Sequence, residues 1–341
     1  MSSEKEEERI FGFDEVGGAE HSSNYWDESP PSVALSPGET QLAYVDAGGL
    51  AVFDLVASSS RMLAGSLPGP GLSGKPVGEF GGACCFSHFS HPLWSSDARF
   101  ISVQLTQYEG MSSGIVDTSD GSACVPKWQN GWLSGMVVAW SPSGHRMVAH
   151  SADNDSSYSG LYLSDEDDPC SGDDISWVYS GQDTWNTFHE GAWSPDERLF
   201  AFSDTLAIKT GREKAMLAIL DVDGLSSTLI DNEDENRYPI FSPDGRLVYY
   251  VKSGASGVSL WSYSVEERQR AEVARLPDGH RGYQPLFWTS EGFLALLSYE
   301  TSDQCHYQSC KNRLIVLDLN AGNVIYASAT RDFAKFLALT E

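Results

Sequence analysis

The chain has 341 residues, of which 48 are acidic and 22 basic, for a formal net charge of −26. A field of that sign repels polyanions, which excludes nucleic acid and anionic membrane surfaces as partners reached through phosphate contacts; a high-salt habitat produces the same acidic bias. Hydrophobic residues make up 41%, with 32 Gly and 10 Trp, a composition suited to a real core of many short strands, and no apolar run approaches the roughly 18 to 20 residues of a membrane span.

Residues 1–30 read as an acidic segment whose start, MSSEKEEERIFGF, lacks the basic and apolar regions of a secretory signal. From Pro31 onward one phrase recurs: a large apolar residue, Ser, Pro, an acidic or small residue, Gly, a polar residue, then an alternating apolar strand. Its copies in chain order are Leu35-Ser-Pro-Gly-Glu-Thr-Gln-Leu-Ala-Tyr, Trp94-Ser-Ser-Asp-Ala-Arg-Phe-Ile-Ser-Val, Trp140-Ser-Pro-Ser-Gly-His-Arg-Met-Val-Ala, Trp193-Ser-Pro-Asp-Glu-Arg-Leu-Phe-Ala-Phe and Phe241-Ser-Pro-Asp-Gly-Arg-Leu-Val-Tyr-Tyr. A degraded sixth, Phe287-Trp-Thr-Ser-Glu-Gly-Phe-Leu-Ala-Leu, reads as carrying one extra residue. Pro presets the turn dihedral, Asp-Gly supplies the reversal, and the alternation marks a strand with one buried face.

A second strand follows in most units: Leu50-Ala-Val-Phe-Asp, Gly160-Leu-Tyr-Leu-Ser-Asp, Leu217-Ala-Ile-Leu-Asp, Ser259-Leu-Trp-Ser-Tyr and Leu314-Ile-Val-Leu-Asp. A third appears as Ser227-Thr-Leu-Ile. Three- or four-stranded sheets of this kind cannot bury both faces alone, and a spacing of roughly 45 to 60 residues is blade-sized. The expected fold is therefore all-β, a six-bladed β-propeller over residues 31–341, with blades starting near 31, 90, 136, 189, 237 and 283. Either Ile10-Phe-Gly-Phe13 or the terminal Phe333–Leu339 is expected to complete the sheet of the first or last blade.

The phrase resembles the WD40-like repeat called PD40, shared by the propeller of TolB and by propellers of the prolyl oligopeptidase group. The resemblance runs from about Pro31 to about Ala329 and is specific for fold, since the shared residues are scaffold. Neither the α/β domain that precedes the TolB propeller nor an α/β-hydrolase domain fits in the remaining length. The family implies a non-catalytic platform that docks a protein partner in the periplasm or outside the cell, here read as a monomer. The rival readings are a lactonase- or lyase-like enzyme acting on a small molecule, and a sugar-binding propeller using Trp128, Trp132, Trp177 and Trp185.

Equivalent repeat positions should lie at equivalent depth around an axis. The two residues entering each blade are Pro31-Ser32, Ser90-His91, Met136-Val137, His189-Glu190, Arg237-Tyr238 and Tyr283-Gln284. Of these, His91, His189, Glu190, Arg237, Tyr238, Tyr283 and Gln284 are the candidate ligand-binding groups at a channel mouth. In the enzyme reading His189 and Glu190 exchange protons and Arg237 anchors an anion.

Other motifs carry less. Gly110-Met-Ser-Ser-Gly114 fits the G-x-S-x-G pattern but is read as a hairpin turn rather than a nucleophile elbow. Gly69–Lys75 approaches a phosphate loop, with Pro76 in place of the magnesium-binding hydroxyl. Asp153–Ser159 has oxygen donors at alternate positions, a weak sign of Ca2+, but Tyr158 occupies the glycine position. The acidic runs Asp165–Asp168 and Asp231–Glu235 have no ligand spacing and are read as solvated loops. His88 and His91 near Cys84 and Cys85 are the nearest approach to a soft-metal set, yet no metal site or cofactor is assigned. Among six Cys, the preferred disulfide joins Cys305 to Cys310 across a short polar run.

Overall fold

The computed structural model describes residues 33–46, 49–65, 86–107, 110–124, 135–144, 146–151, 160–164, 175–180, 191–206, 214–276, 282–289, 291–299, 312–319 and 323–327. Six antiparallel four-stranded sheets, each of four consecutive strands, account for them. Sheet 1 is β1 (Val33–Leu35), β2 (Gln41–Asp46), β3 (Gly49–Asp54) and β4 (Ser59–Gly65). Sheet 2 is β5 (Phe86–Trp94), β6 (Phe100–Gln107), β7 (Gly110–Asp117) and β8 (Ala123–Cys124). Sheet 3 is β9 (Gly135–Trp140), β10 (Met147–Ser151), β11 (Gly160–Ser164) and β12 (Ile175–Ser180). Sheet 4 is β13 (Gly191–Trp193), β14 (Leu199–Leu206), β15 (Lys214–Asp221) and β16 (Ser226–Asp231). Sheet 5 is β17 (Glu235–Phe241), β18 (Leu247–Gly254), β19 (Gly257–Ser264) and β20 (Gln269–Arg275). Sheet 6 is β21 (Gly282–Trp288), β22 (Leu294–Tyr299), β23 (Asn312–Asp318) and β24 (Asn323–Ala327). Sheets 1 and 2 form one compact unit and sheets 3 to 6 another. Sheets 1 and 6 each have four strands without Ile10–Phe13 or Phe333–Leu339, which lie outside the described residues.

The repeated phrase is the turn between the first and second strands. Its Ser clamps the reversal twice. The Ser194 amide donates to the Leu199 carbonyl at 2.8 Å, and the Leu199 amide returns a bond to Ser194 Oγ at 2.9 Å. Ser95 with Phe100 and Ser242 with Leu247 repeat the arrangement, and each of the three Ser hydroxyls also donates to the Asp two residues on at 2.6 Å. The fifth position of the phrase takes the left-handed backbone in every copy: Glu39, Ala98, Gly144, Glu197, Gly245 and Gly292 all have φ between +54° and +83°. That explains the preference for Gly, because only Gly adopts this region without a Cβ penalty.

The sixth copy departs from expectation. Trp288, not Phe287, takes the anchor position, and Thr289 closes on Phe293, four residues along rather than five. The turn is one residue shorter, not longer, because Phe293 follows Gly292 directly, where Arg246 stands between Gly245 and Leu247.

The anchor aromatic ties one sheet to the next. Trp94 Nε1 donates to the Ala34 carbonyl at 2.9 Å, Trp193 Nε1 to Ala139 at 3.4 Å, and Trp288 Nε1 to Phe241 at 2.7 Å. Each bond runs to the first strand of the preceding sheet in the same unit, so the residue supplies apolar area and a directed polar contact together. Between sheets, apolar faces fuse into continuous clusters, such as Leu161, Phe200, Phe202 and Leu220, and Tyr249, Leu260, Tyr283 and Leu296. The Asp that ends the third strand caps the next turn: Asp54 Oδ1 accepts from Val56 and Ala57, Asp117 Oδ1 from Ser119, and Asp221 Oδ1 from Gly224.

The fourth strand hides a second regularity. In five sheets its pairing slips by one residue at the same place, leaving Leu63, Val178, Ile230, Val273 and Ile325 unpaired as β-bulges. Leu63, Ile230 and Val273 pack into the apolar clusters, so the extra residue turns an apolar side chain inward and increases the local twist.

Candidate functional site

The strand entries are where the sheets stop resembling one another. Besides an earlier shift in β5 between Phe86 and His88, β5, β17 and β21 share a bulge nearer the turn, between Ser90 and Leu93, Arg237 and Ile240, and Pro285 and Phe287. Each bulge coincides with a Pro (Pro92, Pro239, Pro285), which cannot donate to the ladder and so sits where pairing is interrupted. His91 lies in the first of these bulges, but its side chain, like all of His189 and Glu190, is outside the described residues.

Tyr283 and Gln284, in sheet 6, are placed differently from each other. Tyr283 is fully buried in the apolar cluster with Tyr249 and Leu296 and offers no face to a ligand, while Gln284 is half-buried. Arg237 and Tyr238, in sheet 5, are both half-buried. Tyr238 has φ +57°, a conformation unusual for a bulky residue. Arg237, the expected anion anchor, donates its Nε to Glu235 Oε1 at 2.5 Å. Residues two apart on a strand share a face, so this neutralisation is built into the local sequence.

Below this entry lies a charge network that the sequence did not reveal. Asp231, expected on a solvated loop, is the buried end of β16, with a side chain 0% exposed. Its Oδ2 accepts from Lys252 Nζ at 3.0 Å and from the Tyr250 hydroxyl at 3.1 Å, and its Oδ1 pairs with Arg270 Nη1 at 2.7 Å and accepts from the Glu233 amide at 3.0 Å. Lys252 also reaches Glu233 at 3.1 Å and lies 4.8 Å from the centroid of the Trp261 ring. Asn236, fully buried, donates to the carbonyls of Asp231 and Asp234. Segment 231–236, which joins sheet 4 to sheet 5, is thereby pinned to β18 and β20. The physical reason for the correction is that a carboxylate can be buried when it accepts several hydrogen bonds and is paired.

The titration behaviour follows. Burial alone would raise the Asp231 carboxyl, but the Glu233 amide, Lys252 and Arg270 outweigh it and hold it below the usual carboxylate range. Burial alone would lower Lys252 and Arg270, yet hydrogen bonds to Asp231 hold both above their ordinary values, helped for Lys252 by one to Glu233. Burial, and then the Asp231 charge, push the Tyr250 phenol up.

No family model matches the chain. A relative in Agrobacterium fabrum, an uncharacterised protein, is 27% identical over 135 residues, 39% of this chain and 43% of that protein. Among solved structures, tricorn protease matches with a TM-score of 0.59 at 12% identity, over 89% of this chain and 31% of that one. Oligogalacturonate lyase from Vibrio parahaemolyticus matches with a TM-score of 0.57 at 14% identity, over 87% and 75%. A putative TolB from Agrobacterium tumefaciens matches with a TM-score of 0.50 at 18% identity, over 82% and 88%. The fold is that of a TolB-like β-propeller. The match covers less than half the length of the Agrobacterium fabrum relative and about a third of tricorn protease.

Within the propeller, Gly110–Gly114 is not a hairpin turn. It lies inside β7, with Gly110 already opposite Gln107 and Gly114 opposite Val103. A Cβ on Gly114 would come within 3.2 Å of Leu105 Cδ1, so close packing accounts for that glycine. The phosphate-loop-like segment 69–75, the Asp153–Ser159 and Asp165–Asp168 runs, the Cys305–Cys310 pair, Cys84, Cys85, Trp128, Trp132 and Trp185 lie outside the described residues, as does the Trp177 side chain. Cys124, at the end of β8, is disulfide-bonded.

Proposed function

We propose that this propeller is a non-catalytic platform, monomeric and periplasmic or extracellular, that docks a protein partner through the strand entry of sheet 5. The observation that carries the reading is the interlocked ion network under this entry, in which Asp231, Glu233, Lys252 and Arg270 are paired with one another. Every described group with a shifted pKa moves away from neutrality: Asp117, Asp196, Asp231, Glu233 and Asp244 downward, and Tyr249, Tyr250, Lys252 and Arg270 upward. Acid–base catalysis calls for the reverse, groups tuned towards the working pH. Charges locked in this way stiffen a surface rather than exchange protons.

Two further features support docking. Large apolar side chains are exposed on the outer hairpins, Val56 and Met62 in sheet 1 and Leu225 and Leu229 in sheet 4, and such residues are raw material for a contact surface. The Cys124 disulfide favours an oxidising compartment. The test is affinity capture with the full chain from envelope and soluble extracts. One partner, retained by the unaltered chain and lost with Tyr238→Ala, is the expected result. No partner in any fraction, together with turnover of a small molecule or oligosaccharide by the purified chain, overturns the reading in favour of the enzyme.

A further inference from the structure

We propose that Asp223-Gly224, in the turn between β15 and β16, is a site of spontaneous aspartate isomerisation, in which the Gly224 amide nitrogen closes on the Asp223 carboxyl carbon and the Asp221 carboxylate takes its proton. This chemistry stands apart from the docking reading and does not depend on it.

An Asp-Gly step is prone to the reaction because Gly has no side chain to shield its amide from the carboxyl before it. Three such steps fall in described turns, at Asp120-Gly121, Asp223-Gly224 and Asp244-Gly245, and a fourth, Asp278-Gly279, lies outside the described residues. The fold treats the three differently. Asp244 is held twice: its Oδ1 accepts from the Ser242 hydroxyl at 2.6 Å and from the Arg246 amide at 3.1 Å, and these bonds keep the carboxyl below its usual range. Asp120 Oδ1 accepts from the Ser122 amide at 2.7 Å. In both turns the glycine amide donates to a main-chain carbonyl at 2.9 Å, Gly245 to Ser242 and Gly121 to Asp117, and the glycine sits at φ +73°.

Asp223-Gly224 is built otherwise. The Asp223 side chain is 66% exposed and meets Arg146 Nη2 at 3.9 Å, the long end of an ion pair, and Gly224 is outside the left-handed region. Its amide donates not to a carbonyl but to Asp221 Oδ1, at 2.9 Å. A carbonyl oxygen does not take up such a proton, whereas a carboxylate within hydrogen-bond reach serves as a general base. That carboxyl lies close over the amide, since a Cβ on Gly224 would come 3.3 Å from Asp221 Cγ. Val222 is buried and anchors the turn, while residues 223–225 are exposed, so Asp223 can swing towards the nitrogen without disturbing the core.

The step needs only water. The bond from Gly224 N to Asp223 Cγ forms as the amide proton passes to Asp221. Asp221 returns it to the departing hydroxyl of the neutral Asp223 carboxyl, which leaves as water. Water then opens the cyclic imide at the former main-chain carbonyl, so that the chain runs on through the side-chain carbon, one methylene longer, with a free α-carboxylate.

The test is peptide mapping of the full chain aged at neutral pH and body temperature, with electron-transfer fragmentation to tell isoaspartate from aspartate at each step. Isoaspartate should accumulate at Asp223 several-fold faster than at Asp120 or Asp244, and in urea the three rates should converge, because the fold sets their order. Asp221→Asn keeps an oxygen to accept the Gly224 amide but loses the proton acceptor, and should slow the reaction several-fold. Gly224→Ala, which shields the nitrogen, should nearly abolish it. Circular dichroism and the unfolding midpoint report whether each variant is folded, and the rate at Asp244 in the same digest is the internal reference. Faster accumulation at Asp120 or Asp244, an unchanged order of rates in urea, or an unchanged or faster rate in Asp221→Asn overturns the proposal.

Discussion

The two ends of the first strand in each sheet obey different rules. At the far end, the Ser-Pro-Asp-Gly turn is built the same way in sheet after sheet, with one Ser closing both hydrogen bonds and one left-handed residue making the reversal. At the near end the sheets diverge: sheet 5 enters over a buried ion network and a strained Tyr, and sheet 6 over a buried Tyr and a half-buried Gln. The contrast teaches that the repeat keeps what closes a sheet and leaves the strand entry to vary. Local chemistry is copied; long-range chemistry is particular.

The strongest way to break that contrast is to remove the particular element. Asp231→Ala strands Lys252 in a buried position without its closest carboxylate and should cost about 3 to 5 kcal/mol, read as a lower urea midpoint. Removing two members together, Asp231→Leu with Lys252→Met, should cost clearly less, because the buried ammonium goes with its carboxylate and the part-exposed Arg270 keeps Glu233. A milder perturbation is acid. Because the Asp231 carboxyl is held below its unfolded value of 3.8, its contribution is full above that value and is lost as pH falls through the lowered native one. Unfolding midpoints should therefore drop between pH 5 and pH 2, about that window, and Asp231→Asn should flatten the drop.

The copied element can be broken too, at smaller cost. Ser194→Ala or Ser242→Ala removes a buried hydroxyl that closes one turn and should cost about 1 to 2 kcal/mol each, with the two effects additive because the turns share no partner. Smallest, and of opposite sign, is Glu197→Gly. Glu197 sits at φ +59° where three of the other copies carry Gly, and the change should stabilise by about 0.5 to 1 kcal/mol after the entropy of Gly is set against the relieved strain.

Much of the fold was legible in the sequence, because a turn advertises itself in four or five adjacent residues. Trp193-Ser-Pro-Asp and Phe241-Ser-Pro-Asp-Gly announce both the reversal and the strand that follows. The sixth copy was miscounted since Phe287 and Trp288 are both plausible anchors, and only the indole bond to the Phe241 carbonyl decides between them. The site was less legible. Asp231 meets Lys252 and Arg270 from 21 and 39 positions away, as the numbering of the pairs shows, and nothing local distinguishes it from the solvated acids beside it. One signal was present: Lys252 ends the otherwise apolar run Leu247-Val-Tyr-Tyr-Val, and a charge closing a buried strand asks for a counter-ion. The Glu235–Arg237 pair was hidden in the same way, because Glu235 reads as part of the acidic run rather than as the start of the strand.

The slipped pairing in the fourth strands has a consequence for the chain in solution. A sheet whose last strand is straight offers a row of unsatisfied amides and carbonyls on which another molecule can crystallise, strand upon strand, into a fibre. In five sheets here that row is interrupted by an extra residue that twists the margin, and in three of them, at Leu63, Ile230 and Val273, an apolar side chain packs inward. Self-templated growth from these margins is disfavoured by geometry, independently of the chain's charge. A molecule made of small sheets can therefore leave apolar groups such as Val56, Met62, Leu225 and Leu229 exposed on its hairpins without presenting a flat seam to copies of itself.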